Sequence, residues 1–218
     1  TWMQKTAVSW VIYSQTHSNF MLGVTLFATM LPSFIFSFLG GVVSDRYNRY
    51  RVLLATQVAS MVQAILIKAL VFFNQYVVWE IIALSVLLGI INAFDVPARQ
   101  SLVYEMVDDK DDLPNALALN SSMVNLSRLI GPAIAGFILE TFGDTVCFGL
   151  NALSFIAVIG SLLLMKLSKY KPKPRVQNIF DELKDGFVYI RNTPSISFVL
   201  GMLAIISLFV NVSIAQLQ

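Results

Sequence analysis

Residues 6–44 read TAVSWVIYSQTHSNFMLGVTLFATMLPSFIFSFLGGVVS, and no Asp, Glu, Lys or Arg interrupts them. One membrane span needs about 20 apolar residues, so this stretch is too long for a single helix in a bilayer. The polar residues 15–18, Gln-Thr-His-Ser, divide it into two apolar parts. The stretch therefore predicts two spanning helices at 2–14 and 20–44, and the first of them is expected to lack its first half.

The rest of the chain repeats this pattern of long apolar segments. Only 13% of the 218 residues are charged, where a soluble domain carries roughly a quarter. We therefore predict an all-α membrane protein with seven spans, truncated at both ends because the first and last segments lie inside apolar runs. Beyond the two spans already named, the segments of spanning length lie at about 52–73, 77–98, 113–139, 145–166 and 195–218.

The cations of the loops predict the orientation of these spans. Lysine and arginine occur in the loops after the second, fourth and sixth spans, and the other three loops contain neither. Under the positive-inside rule, the loops with cations are cytoplasmic, and so is the amino terminus. We expect a multi-pass protein of the plasma (inner) membrane. The cations that carry this prediction are Arg46, Arg49, Arg51, Arg99, Lys110 and seven more between residues 166 and 191.

The longest polar segment, 167–194, predicts a cytoplasmic linker. It includes the basic sequence KYKPKPR at 169–175 and continues with apolar residues at helical spacing. This pattern is typical of an amphipathic helix on a membrane surface, and a plain solvated loop is the alternative. We predict an amino-terminal bundle of six helices at 1–166, the linker, and the first span of a second bundle at 195–218. This is the plan of a transporter with two six-helix halves.

Composition also argues against several classes of protein. The net charge is only +2 and the basic residues form no continuous stripe, so nucleic acid is not expected as a partner. Cys147 is the one cysteine, which excludes a disulfide within the chain and offers no pair of metal ligands. No nucleophile and base pair, phosphate-binding loop or metal cluster is visible. We therefore expect neither enzymatic activity nor a bound cofactor or metal.

A short charged turn between the second and third spans is the most specific motif of the chain. It reads GVVSDRYNRYRVL over residues 41–53. It resembles the loop signature of the major facilitator superfamily, Gly-x-x-x-Asp-Arg-x-Gly-Arg-Lys/Arg. Here Asn48 replaces the usual glycine, and asparagine is one of the few other residues that tolerate a left-handed turn. Tyr50 takes the place of a cation that reappears as Arg51.

In that family the loop is a conformational latch on the cytoplasmic side. The resemblance implies this role for Gly41, Asp45, Arg46 and Arg49, whereas ordinary positive-inside anchoring would need the arginines alone. We expect Asp95, near the cytoplasmic end of the fourth span, to supply a further carboxylate for these arginines.

A second motif, RLIGPAIAG, lies in the fifth span at residues 128–136. A Gly-Pro pair frees a backbone carbonyl, and small residues permit close helix packing. The sequence is similar to the antiporter motif of exporters in the same superfamily. The resemblance assigns Arg128, Gly131, Pro132 and Gly136 to that motif.

Polar residues inside the spans predict a cavity. A charge such as Arg128 costs about 2.5–3.5 kcal/mol at the centre of a membrane helix, so it should face a cavity or a partner. It could bind an anionic substrate, hold a carboxylate whose protonation drives transport, or only pair with backbone carbonyls. Lys5 raises the same question in the first span, and Asn120 and Asn125 add polar groups to the fifth.

A third stretch, NAFDVPARQ at 92–100, resembles the subgroup that contains enterobactin exporters and macrolide efflux proteins. The resemblance implies a major facilitator fold with a 3+3 inverted repeat. It further implies export of a siderophore, drug or metabolite by alternating access with proton antiport. The expected partners are a small molecule, protons, the lipid bilayer and the carboxy-terminal half. The alternatives are a lysophospholipid mover of the same fold and a membrane sensor that does not transport.

Overall fold

A computed structural model describes residues 2–73, 77–107 and 109–165, together with 188–189, 192–193, 196–199 and 201–202. The chain divides into two compact units, Thr1–Lys173 and Pro174–Gln218. The described residues of the second unit are helical except for Thr193. Most of the predicted linker and seventh span lies outside the described residues, so both stay predictions.

The first unit is built from six long helices and contains no strand within its described ranges. Five of them, α2 to α6, are long and apolar enough to cross a membrane, and α1 is shorter, with 15 residues. The prediction of an all-α membrane protein is confirmed. The helices are α1 (Trp2–Thr16), α2 (Asn19–Arg46), α3 (Arg49–Phe73), α4 (Val78–Met106), α5 (Leu113–Phe142) and α6 (Asp144–Leu164), and a short 3-10 turn at Lys110–Asp112 precedes α5.

The turns between the helices follow from local chemistry. The side-chain Oδ1 of Asn48 accepts a hydrogen bond from the backbone N–H of Arg51 at 3.3 Å, which caps the start of α3. Asn48 does not adopt the left-handed conformation that asparagine tolerates; among the described non-glycine residues, His17 alone has a positive φ, of 46°. Gly143 joins α5 to α6 with a φ of 82°, a conformation that a side chain would disfavour.

The contacts between helices follow a repeated plan. Helix α2 packs on α4 as α5 packs on α1, and α3 packs on α4 as α6 packs on α1. Helices α3 and α6 also contact each other. Exchanging the first three helices with the last three leaves this set of contacts unchanged. The pattern is that of two related three-helix units, as the 3+3 repeat of the major facilitator fold requires.

The core of the unit is apolar, and a chain of hydrogen-bonded amide side chains crosses it. The largest buried cluster joins residues of α1, α3, α4, α5 and α6, and it includes Cys147 and Phe148, both fully buried. Beside it, the Gln4 side chain donates to Gln63 Oε1 at 2.7 Å and accepts from Asn151 Nδ2 at 2.8 Å. Gln63 in turn donates to the carbonyl of Leu84 at 3.0 Å. These buried amides connect α1, α3, α4 and α6.

Helices α2 and α5 lie at the surface of the unit. Over their most apolar segments, 6% of α2 and 11% of α5 is buried, compared with 39% of α3 and 44% of α4. Large apolar side chains such as Phe34, Phe38 and Leu129 are exposed on them. Apolar faces of this extent require lipid or further protein to cover them.

Candidate functional site

The predicted latch places one arginine among three helix ends. The Arg49 guanidinium lies 2.7 Å from Glu105 of α4 and 3.5 Å from Asp45 of α2, and its Nε donates to the carbonyl of Ser44 at 3.3 Å. The Arg49 side chain is only 17% exposed. Arg49 therefore ties the end of α2 and the end of α4 to the start of α3. Arg46, the last residue of α2, is half-buried.

Asp95 lies elsewhere, and this corrects our expectation of its partner. Its carboxylate accepts hydrogen bonds from Thr56 at 2.9 Å and Gln57 at 2.6 Å, and it pairs with Arg99 one helical turn away. The reason is helical register. Glu105 lies ten residues, or about 15 Å, further along α4 and is therefore level with the first residue of α3. Asp95 is level with the third turn of α3 instead, and Glu105 is the further carboxylate on Arg49.

The close contact between α2 and α4 depends on Gly40 rather than on the motif residue Gly41. A Cβ added to Gly40 would stand 2.7 Å from the carbonyl carbon of Ala93, whereas a Cβ on Gly41 would meet nothing within 4 Å. The oxygen of that carbonyl lacks its usual helical donor because Pro97 has no N–H. Gly40 therefore lets α2 lie against a carbonyl of α4 that accepts no hydrogen bond from Pro97 within its own helix. A second glycine, Gly89 of α4, makes a slightly longer contact of the same kind, since its Cβ would stand 3.1 Å from the carbonyl carbon of Thr29 in α2.

The motif in α5 forms the contact with α1. A Cβ on Gly131 would stand 2.9 Å from the Cβ of Trp2, so this glycine makes room for the tryptophan. Pro132 leaves the carbonyl of Arg128 without its helical donor. Gly136 has open space around it in the described part of the chain. Of the two motif glycines, only Gly131 is therefore used for close packing here.

Two cations share the ring of Trp2. The Lys5 ammonium lies 5.3 Å and the Arg128 guanidinium 5.6 Å from the ring centroid. Both distances fall within the range of cation–π attraction. Within the described ranges, neither cation has a carboxylate partner.

A cavity of about 400 Å³ opens among α1 to α5. Lys5 and Asn120 line it, as predicted for cavity residues, whereas Arg128 reaches it only through Trp2 and Asn125 lies on the exposed face of α5. The α4 wall runs from Ser85 to Gln100, about 22 Å along the helix axis.

Sequence reasoning missed several polar residues of this cavity and its wall. Gln4, Gln63 and Arg99 line the cavity, and Gln63 belongs to a row of buried polar residues on α3. A signal was present, because those polar residues recur at intervals of one, three and four along an apolar helix, which marks its inward face in a bundle. The row is Thr56, Gln57, Ser60 and Gln63.

Comparison with known proteins identifies the family. The family of transmembrane secretion effectors matches residues 1–217. The staphyloferrin A transporter of Staphylococcus aureus is 31% identical over 72% of this chain and 40% of its own length. The enterobactin exporter of Shigella boydii is 27% identical over 86% of this chain and 45% of its own length. Macrolide efflux protein A of Streptococcus pyogenes is 21% identical over 97% of this chain and 52% of its own length.

The chain spans about half the length of the curated relatives that it matches. The described residues include five apolar helices of spanning length, and the chain is a multi-pass protein of the inner membrane. The chain belongs to the transmembrane secretion effector family of the major facilitator superfamily.

Proposed function

We propose that the intact protein is a secondary active transporter that exports a small organic molecule, a siderophore, drug or metabolite, by alternating access. The proposal rests on the cavity of about 400 Å³, because its polar side chains project between helices that are otherwise apolar. Polar and charged groups at membrane depth are costly, so where they occur they typically mark a ligand site or a pathway. The relatives named above support the same class of activity, because two of them are named as siderophore transporters and one as a macrolide efflux protein.

The carboxy-terminal half would supply the other wall of this cavity. The exposed apolar faces of α2 and α5 support this arrangement, since they flank the cavity and lack cover within the described part of the chain. The Arg49 cluster would then act as the cytoplasmic latch, together with Asp45, Arg46 and Gly41, with the amino terminus in the cytoplasm. Arg49 would hold the ends of α2, α3 and α4 together as the surface that meets the carboxy-terminal half when this side closes.

We propose proton antiport as the driving reaction, with Asp95 as the group that carries the proton. Asp95 is 2% exposed, and its partner Arg99 lines the cavity. Ionised Asp95 would hold Arg99 in position for a substrate, whereas protonation of Asp95 would break this pair, loosen Arg99 and release the substrate, so that proton and substrate exchange. The Arg128, Gly131 and Pro132 motif would hold α1 against α5 during this exchange.

The test is proton movement by the intact protein in inside-out vesicles during addition of siderophores, a macrolide and lipophilic cations. At least one compound should dissipate the pH gradient in the wild type but not in Asp95→Asn. Asp111→Asn removes an exposed carboxylate outside the cavity and should behave as wild type. Silence for every compound, with movement of a labelled lysophospholipid instead, would favour the lipid mover and contradict the exporter.

A further inference from the structure

The cavity wall carries an excess of positive charge. Two of its lining residues, Lys5 on α1 and Arg99 on α4, are cations, and no described lining residue is acidic. Arg128, which does not line the cavity, lies over the same Trp2 ring as Lys5. Among the described carboxylates, Asp95 alone contacts this group, and it pairs with Arg99 without lining the cavity itself. Three cations therefore face one anion.

Of the two cations that line the cavity, Lys5 has less of its charge balanced by neighbouring groups. Its ammonium contacts the Trp2 ring, and no carboxylate of the described residues lies within ion-pair distance. A cation–π contact offsets only part of the cost of taking a charge out of water. Arg128, over the same ring, adds to the positive potential at that point. An anion bound beside Lys5 would balance the positive charge of its ammonium group.

Arg99 keeps binding capacity after its pair with Asp95 is formed. A guanidinium has five N–H donors, and the contact with Asp95 uses the Nη2 nitrogen. The Arg99 side chain is 47% exposed and faces the cavity. Its planar fork suits a carboxylate or another pair of anionic oxygens. Asp95 therefore holds Arg99 in place while leaving donors for a ligand.

We propose that the cavity binds an organic anion rich in oxygen, a polycarboxylate or catecholate, between Lys5 and Arg99. The amides of Asn92, Gln100 and Asn120 and the hydroxyl of Ser9 line the same cavity and would bind the remaining oxygens. Cationic or purely apolar compounds find no complementary charge here. The proposal deepens the proposed function and rests on it, because it names the substrate class of the exporter.

The experiment measures binding and export of staphyloferrin A, enterobactin, erythromycin and tetraphenylphosphonium by the intact protein in proteoliposomes. At least one of the two siderophores should bind, and neither the macrolide amine nor the lipophilic cation should compete with it. Loss of one charge-assisted hydrogen bond in Lys5→Gln should weaken siderophore binding about ten- to hundredfold. Lys5→Arg, which keeps the charge, should recover most of the affinity.

Lys68→Gln is the matched control, since it removes a cation from α3 that does not line the cavity. Arg99→Lys, which keeps the charge beside Asp95, covers the case in which Lys5→Gln fails to fold, and it should weaken binding by loss of the fork. Export of erythromycin or the lipophilic cation, with no anion bound, would overturn the anion proposal and keep the transporter. Absence of both binding and export for all four compounds would overturn both.

Discussion

Two contacts occupy equivalent places in the bundle and are built differently. Where α2 meets α4, two glycines allow backbone to approach backbone, at Gly40 with Ala93 and at Gly89 with Thr29. Where α5 meets α1, a single glycine, Gly131, meets a side chain, that of Trp2. A space of about 410 Å³ lined by α1, α5 and α6 lies at this second contact.

The α2–α4 contact is rigid, whereas the α1–α5 contact is adaptable and holds two charged side chains. Backbone atoms held by glycines cannot move apart without losing the whole contact, whereas a tryptophan can change its rotamer. The α2–α4 contact leads to the Arg49 cluster, and the α1–α5 contact holds Lys5 and Arg128. The bundle therefore has its tight packing at the contact that leads to the proposed latch and its looser packing at the contact that holds Lys5.

Gly40→Val should break the tight contact and give the largest loss of stability. Its side chain would collide with the Ala93 carbonyl, and neither backbone can yield easily, so we expect a loss of roughly 3 kcal/mol or more. Thermal melting of the purified protein in detergent measures this. Gly41→Val makes the same change in helix propensity one residue along, in open space, and should cost well under half as much. Equal losses in the two variants would show that the contact is not tight.

Gly131→Val tests the looser contact by the same melting experiment. The added methyl groups meet the Trp2 side chain, which can shift, so we expect a smaller loss of about 1–2 kcal/mol. Gly136→Val, in open space on the same helix, is its control. A loss as large as that of Gly40→Val would abolish the difference between the two contacts.

The sequence predicted the helices well but could not assign residues to faces. Gly40 and Gly41 are adjacent and look alike in sequence, and only the rotation of α2 decides which one meets α4. The partner of Asp95 depends on the register of α3 against α4, which packing sets. Hydropathy marks the apolar part of a span, so it ended the fourth span at 98, whereas α4 runs on to Met106. That extension includes Arg99, which is the partner of Asp95, and Glu105, which is the further carboxylate on Arg49.

Asn151→Leu should weaken the amide connection between α6 and α1. It removes the donor to Gln4, and polar contacts between membrane helices contribute about 1 kcal/mol. The control is Asn125→Leu, at an exposed position on α5, which should leave the melting temperature unchanged. If both variants melt like the wild type, the buried amides add nothing to the stability of the α1 contacts.

Glu105→Gln should have the smallest effect on stability and still slow transport. Exposed ion pairs contribute roughly 0–1 kcal/mol, so melting should hardly change. Turnover by the intact protein should fall, because Arg49 loses its nearer carboxylate, at 2.7 Å. Asp45→Asn, at 3.5 Å, should leave membrane insertion normal and slow turnover less. Unchanged export rates in both variants would remove the latch from the mechanism.

The burial of Cys147 has a practical consequence for labelling experiments on this protein. It is the one cysteine in the 218 residues, and no part of it is exposed. Maleimide reagents and spin labels require an accessible thiolate, so the native residue should stay silent while cysteines introduced on α2 or α5 react. Labels on those two faces would then report distances across the cavity, and so test the proposed alternating access, without prior removal of Cys147.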